Sequence, residues 1–156
     1  VIDLDKVGYT SIQGHGVAVI LMAGPGPALK FMGTHTKSAD PAGFSKDVWD
    51  RQRMPTVEGL AISGDHAEAD GIEANGTMQL TIRGVHIRKV RHGIHLVQRN
   101  RNVLIDACHI YENSGCGVYL GASGCSCCMA TSSTASSATP SCSPISATGL
   151  TTWRSP

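Results

Sequence analysis

One small phrase, a glycine followed by an apolar, a polar and an apolar residue, returns three times at nearly one interval. It constrains the fold of this chain more than any other feature. It reads Gly71-Ile72-Glu73-Ala74, then Gly93-Ile94-His95-Leu96, then Gly117-Val118-Tyr119-Leu120, so that Ile72, Ile94 and Val118 lie 22 and 24 residues apart. A second apolar run precedes each copy: Gly59-Leu60-Ala61-Ile62-Ser63-Gly64, then Leu80 to Ile87, then Val103 to Ile110. In these runs Ile62, Ile82 and Ile105 fall 20 and 23 residues apart. A period of 20 to 24 residues held over three lines is the signature of a solenoid.

Apolar and polar residues alternate within each line, which is the period of strands with one buried face, and nothing in the lines has helical spacing. One line cannot close a core alone. Stacked at the strand spacing of about 4.8 Å, the lines bury their aliphatic residues against one another. The pattern therefore predicts an all-β chain, a parallel β-helix, with Ile62, Ile82 and Ile105 in one interior column and Ile72, Ile94 and Val118 in another. Gly71, Gly93 and Gly117 mark one corner on successive coils. Asn100, Asn102 and Asn113 fall in connectors, where Asn tolerates a left-handed backbone and hydrogen-bonds along a stack. Cys108 alternates inward and reads as a small core residue.

Composition narrows the function classes. Aromatic residues make up only 4% of the 156 residues while glycine reaches 18, which suits many tight turns around Val, Ile and Leu. A net charge of +1 gives no polyelectrolyte signal for nucleic acid. No apolar run approaches the roughly 18 residues of a membrane span. Val1 opens neither a signal peptide nor an ordinary start, so the sequence reads as an internal piece of a longer protein.

The segment Leu80 to Leu120, TIRGVHIRKVRHGIHLVQRNRNVLIDACHIYENSGCGVYL after its leading leucine, resembles the right-handed parallel β-helix proteins of the pectin-lyase-like superfamily. The likeness covers about residues 57 to 121. It implies a right-handed coil, an extracellular or cell-surface location and a polysaccharide partner, cleaved by a lyase or glycoside hydrolase or bound by a non-catalytic scaffold. In the galacturonan hydrolases of that superfamily an Asn-Thr-Asp-Gly-Ile phrase carries one catalytic carboxylate. Ala69-Asp70-Gly71-Ile72 resembles it, but the next coil offers Arg91-His92-Gly93 in place of paired Asp and the third offers Cys116-Gly117 in place of His-Gly. Glycoside hydrolysis needs two carboxyls flanking the bond. The calcium-dependent lyases of the superfamily imply calcium as cofactor and an Arg base, for which Asp70, Glu73 and Arg88 or Arg91 are the nearest residues here.

Alternation also selects the outward side chains. Glu73, His95 and Tyr119 form one outward column, a carboxylate, an imidazole and a phenol able to do acid–base work on a sugar. Asp70 and His92 flank it at the Gly corner. The candidate catalytic set is thus Asp70, Glu73, His92 and His95, with Arg88, Arg91, His86, His109 and Tyr119 as substrate contacts. His86 and His109 form a second outward column, continued by Arg88 and Tyr111. Arg83 and Asp106 form a third, as an exposed ion pair. No metal site is spelled out by spacing alone.

The ends are less regular. Residues 1 to 34 hold shorter alternating pieces, Tyr9 to Ile12, Val17 to Leu21 and Ala28 to Met32, read as earlier coils. A phosphate loop is excluded because no Gly-Lys-Ser/Thr follows the glycines. Residues 35 to 55 are polar and read as an excursion, with Phe44 and Trp49 docked on the coils and Asp40, Asp47, Trp49 and Arg51 as further binding candidates. The β-helix domain is therefore set at 1 to 121. Beyond it, residues 122 to 156 contain no Asp, Glu or Lys and four of the six cysteines, Cys125, Cys127, Cys128 and Cys142. That tail is expected to be disordered or to stem from a shifted reading frame, since the cysteines lack the second pair or His of a zinc site.

Overall fold

A computed structural model describes residues 1–37 and 43–121 and the backbone of Ser126–Ala130. Every strand pairing in it is parallel. The chain opens with β1 (Ile2–Asp3), a single helical turn α1 (Leu4–Val7), β2 (Ser11–Met22) and β3 (Gly26–Met32). After the excursion come β4 (Thr56–Gly64), β5 (Ala69–Asn75), β6 (Thr81–Arg83), β7 (His86–Arg88) and β8 (Ile94–Leu96). Then follow β9 (Arg101–Asp106), β10 (His109–Tyr111), β11 (Val118–Leu120) and β12 (Ser126–Ala130). Strands β1, β3, β5, β8 and β11 stack in that order as one sheet; the others form a second. This is the topology of a parallel β-helix.

In the first sheet the register carries Leu29, Ile72, Ile94 and Val118 into one column, as the glycine phrase predicts. Phe31, Ala74, Leu96 and Leu120 form the next. Ile72, Ala74, Ile94 and Leu96 are all wholly buried. Burying an aliphatic side chain of this size contributes about 1.5–3 kcal/mol, so columns of this kind supply most of the favourable energy of a coil.

The second sheet corrects one expected column. Ile82 and Ile105 are neighbours, but the residue beside Ile82 on the preceding coil is Val57, while Ile62 stacks with Ile87 and Ile110. The cause lies in β4, one continuous strand that pairs through Thr56–Glu58 with β6 and through Ala61–Ser63 with β7. Its inward alternation changes phase at Gly59, giving Val57, Leu60, Ile62 and Gly64 as the buried positions. The corner is made by Gly59 (φ 60°), Gly84 (φ 58°) and Ala107 (φ 50°) on successive coils. A left-handed residue turns the chain there, and only glycine adopts it without strain. Just past that corner Leu60, Val85 and Cys108 point into the core. Cys108 thus sits inward as expected, and burial raises its thiol pKa.

Gly71 and Gly93 do share a corner, though neither has a positive φ. They are small because coils touch there: a Cβ on Gly93 would lie 2.5 Å from the Gly117 carbonyl oxygen and 2.6 Å from Ile110 Cγ2. Asn100 and Asn113 sit in connectors as expected, while Asn102 falls inside β9. Asn102 is left-handed (φ 52°), Asn113 Oδ1 accepts from the Val90 amide at 3.2 Å, and Asn100 is fully buried. Its Oδ1 accepts from Thr77 N and Oγ1, and its Nδ2 donates to the Ala74 carbonyl.

Val48–Gln52 form a π-helical turn in which Val48 and Gln52 are buried. Phe44 and Trp49 stack on each other at 5.2 Å, with the Arg53 guanidinium 4.6 Å from the Trp49 centroid. The helical turns at Leu4–Val7 and Val48–Gln52 are the two features that strand alternation did not foreshadow; the first places Leu4 in the core. At the other end, β12 lies parallel to β9, so backbone pairing extends past residue 121, where the sequence pattern breaks. Asp40, the side chains of Cys125, Cys127 and Cys128, and Cys142 lie outside the described residues.

Candidate functional site

The outer face of the first sheet gathers the residues picked out by alternation. Glu73, His95 and Tyr119 are paired in register on β5, β8 and β11. The same register adds Lys30 on β3, opposite Glu73. The Lys30 ammonium stands 2.7 Å from Glu73 Oε1. The His95 and Tyr119 ring centroids are 4.8 Å apart. His92, three residues ahead of His95, lies nearly parallel to Tyr119 at 5.3 Å and is 6.0 Å from His95. The Cys116 amide donates to His92 Nδ1 at 3.2 Å, which fixes the imidazole against the phenol. A strip of three rings results, with Tyr119 40% exposed.

The two carboxylates at this site are both committed. Asp70, only 4% exposed, accepts from Arg91 Nε at 3.0 Å and Nη2 at 2.6 Å and from the His92 amide at 3.1 Å. Burial pushes its pKa up, but the Arg91 hydrogen bonds, the His92 amide and the Arg91 charge together hold it below the ordinary value of 3.8. A bidentate Arg–carboxylate pair of this kind is short and strong. Asp70 therefore staples one coil to the next and stays ionised. Glu73 is tied to Lys30. His95 has its pKa lowered, first by burial; the Glu73 charge opposes this, the His92 charge adds to it, and Asp70 and Arg91 make smaller opposed contributions. Its imidazole is neutral at pH 7 and holds one donor and one acceptor.

Asp70, Glu73, Arg91, His92, His95 and Tyr119 are thus brought together. His86, His109 and Arg88 are not, since they project from β7 and β10 of the second sheet. There His86 meets His109 edge to face at 4.7 Å, and Arg88 pairs in register with Tyr111. Arg83 and Asp106 form the exposed ion pair anticipated, at 3.3 Å. In the excursion, Arg51 pairs with Asp5 at 3.0 Å, Trp49 stacks on Phe44, and Asp47 is exposed. Among the described residues no three His, Cys, Asp or Glu side chains converge as a metal cage. No helix of the described residues is long and apolar enough to cross a membrane.

Sequence reasoning missed Lys30. Its strand was visible, but 43 residues and the excursion separate Lys30 from Glu73, so no regular period aligned them. An alternation match of Leu29-Lys30-Phe31 to Ile72-Glu73-Ala74 was the available signal.

No curated protein and no solved structure matches the chain. A family model does match: residues 48–142, which hold β4 to β12, fit the model of the family described as "Right handed beta helix region". That match spans more than half of the chain, and the chain belongs to this family of right-handed β-helices.

Proposed function

We propose that the chain binds an acidic polysaccharide along the outer face of β3, β5, β8 and β11, without cleaving it. The observation that carries this reading is the strip of Tyr119, His95 and His92 beside two carboxylates already neutralised by Arg91 and Lys30. Ring faces suit the C–H surface of a sugar. Coils repeat at about 4.8 Å, so an extended polymer meets a new side chain at each rung. Arg91 spends only part of its donor set on Asp70, which leaves guanidinium N–H groups to a uronate carboxylate. Hydrolysis is disfavoured because it needs one carboxyl protonated as acid, and Asp70 is held ionised while Glu73 is paired.

A second reading has its own support: the neutral imidazole of His95 fits the base of an eliminative lyase, for which calcium would be the expected cofactor. Affinity gel electrophoresis in polygalacturonate, alginate and a neutral glucan separates the two. Retention by the acidic gels, weakened about tenfold in Tyr119→Ala, is expected. Reducing-end release and unsaturated-uronate absorbance should stay at background with and without calcium. Absorbance lost in His95→Ala would replace the binding reading with the lyase, and absence of retention in every gel would end both.

A further inference from the structure

A cavity at the far end of β3 from the Gly corner holds an unusual histidine. It has a volume of about 310 Å³ and is walled by His35, Thr36, Lys37, Phe44, Ser45 and Val48 among others. The His35 residue is 2% exposed, and neither Nδ1 nor Nε2 has a hydrogen-bond partner. Its position is set by the main chain, because the His35 amide donates to the Gly76 carbonyl at 3.0 Å. Buried polar atoms are nearly always satisfied, and each exception calls for a partner.

We infer that this cavity binds a small polyhydroxylated carboxylic acid of about the size of one uronic sugar. Burial, and after it the charges of Arg101 and Arg99, lower the His35 pKa, with only the Lys37 main chain acting in the opposite sense. The imidazole is neutral and presents one N–H donor and one bare nitrogen. A hydroxyl group answers both at once, since it donates and accepts. Negative charge on the ligand is selected by Lys37 in the wall. No carboxylate stands among the described wall residues to oppose it. Phe44 and Val48 supply an apolar side for C–H groups, with Phe44 held between Trp49 and the Arg101 guanidinium. The volume sits at the lower end of ligand pockets, which suits one monosaccharide rather than a chain.

This site is independent of the Tyr119 strip, and the test keeps them apart. Full-length protein with ¹⁵N-labelled histidine is titrated with D-galacturonate, D-gluconate, D-galactose and sulfate while the His35 ring nitrogens are followed by long-range ¹H–¹⁵N correlation. The nitrogens should shift with galacturonate, and a shift with gluconate as well marks the open-chain hydroxy acid as a ligand of the same class. Lys37→Ala, an exposed position that does not threaten folding, should weaken galacturonate about tenfold. His35→Phe should abolish the binding, and Tyr119→Ala should leave it unchanged. Silent His35 nitrogens with both acids overturn the inference. So do galactose binding as tightly as galacturonate, sulfate binding where galacturonate does not, or an unchanged affinity in Lys37→Ala.

Discussion

Replacing Gly93 by alanine tests the contact between coils directly. The added Cβ would sit 2.5 Å from the Gly117 carbonyl oxygen. Carbon–oxygen contacts settle near 3.3–3.6 Å, so the coils must part by about 0.8 Å or more at this corner. The Ile94 amide reaches that same carbonyl at 2.9 Å, and the Gly93 amide reaches Cys116 O at 3.0 Å. Opening the corner by the required amount takes both beyond hydrogen-bonding range. Two lost bonds at about 1 kcal/mol each, added to an overpacking cost of about 1–3 kcal/mol, give roughly 3–5 kcal/mol. For a chain of this length that lowers the melting temperature by about 6–20 °C. Gly24→Ala is the control, since a Cβ there meets nothing within 4 Å. Circular dichroism melts of both variants at equal concentration decide the matter. A Gly93→Ala protein melting within about 2 °C of the parent would show that the glycine is not there to let coils touch, and the stacking argument would fail with it.

Asn100→Leu removes three buried hydrogen bonds and strands the Thr77 amide and hydroxyl and the Ala74 carbonyl. Urea unfolding should show a loss of about 2–4 kcal/mol with an unchanged m-value. The Asp70 carboxyl has a folded pKa below 3.8, so its contribution to stability is complete above the unfolded value and is lost as pH falls through the folded one. Melting temperature should therefore drop steeply on acidification below about pH 4, and Asp70→Asn, although less stable at neutral pH, should flatten that drop. His95 should titrate below 6.5 in an NMR pH series, and Glu73→Gln should lower it further, because the Glu73 charge favours the imidazolium. A rise in the His95 pKa in that variant would contradict the site electrostatics.

The fold was legible because a β-helix repeats its own constraint. One alternation of Gly-Ile-Glu-Ala is ambiguous, but the return of Ile72 as Ile94 and Val118 leaves few architectures that bury all three. Register in the second sheet was less legible. Ile62, Ile82 and Ile105 all stand in apolar alternation, and nothing in alternation alone says that Gly59 must lie over Gly84. What decides it is the left-handed turn at 59, 84 and 107, where the third coil carries alanine, so that a glycine ladder cannot be read off the letters. The two helical turns escaped for another reason. Leu4–Val7 and Val48–Gln52 are too short to show a helical period; the first buries Leu4 against the stack and the second buries Val48 and Gln52.

The site shows the same division. Alternation is enough to put Glu73, His95 and Tyr119 outward in one column, since neighbouring coils share a register. It says nothing about which charges meet, because pairing is decided by residues one coil away at other offsets. Asp70 looks like a catalytic carboxylate when read with its Gly-Ile neighbours. In the structure Arg91, 21 positions on, reaches back to close it, and Lys30, from before the excursion, closes Glu73. A carboxylate's chemistry depends on what neutralises it more than on the phrase that carries it. With both acids paired across coils, the groups left facing solvent are three rings and the spare N–H donors of Arg91. They support the recognition we propose, whereas hydrolysis by two carboxyls would require one of the two pairs to come apart.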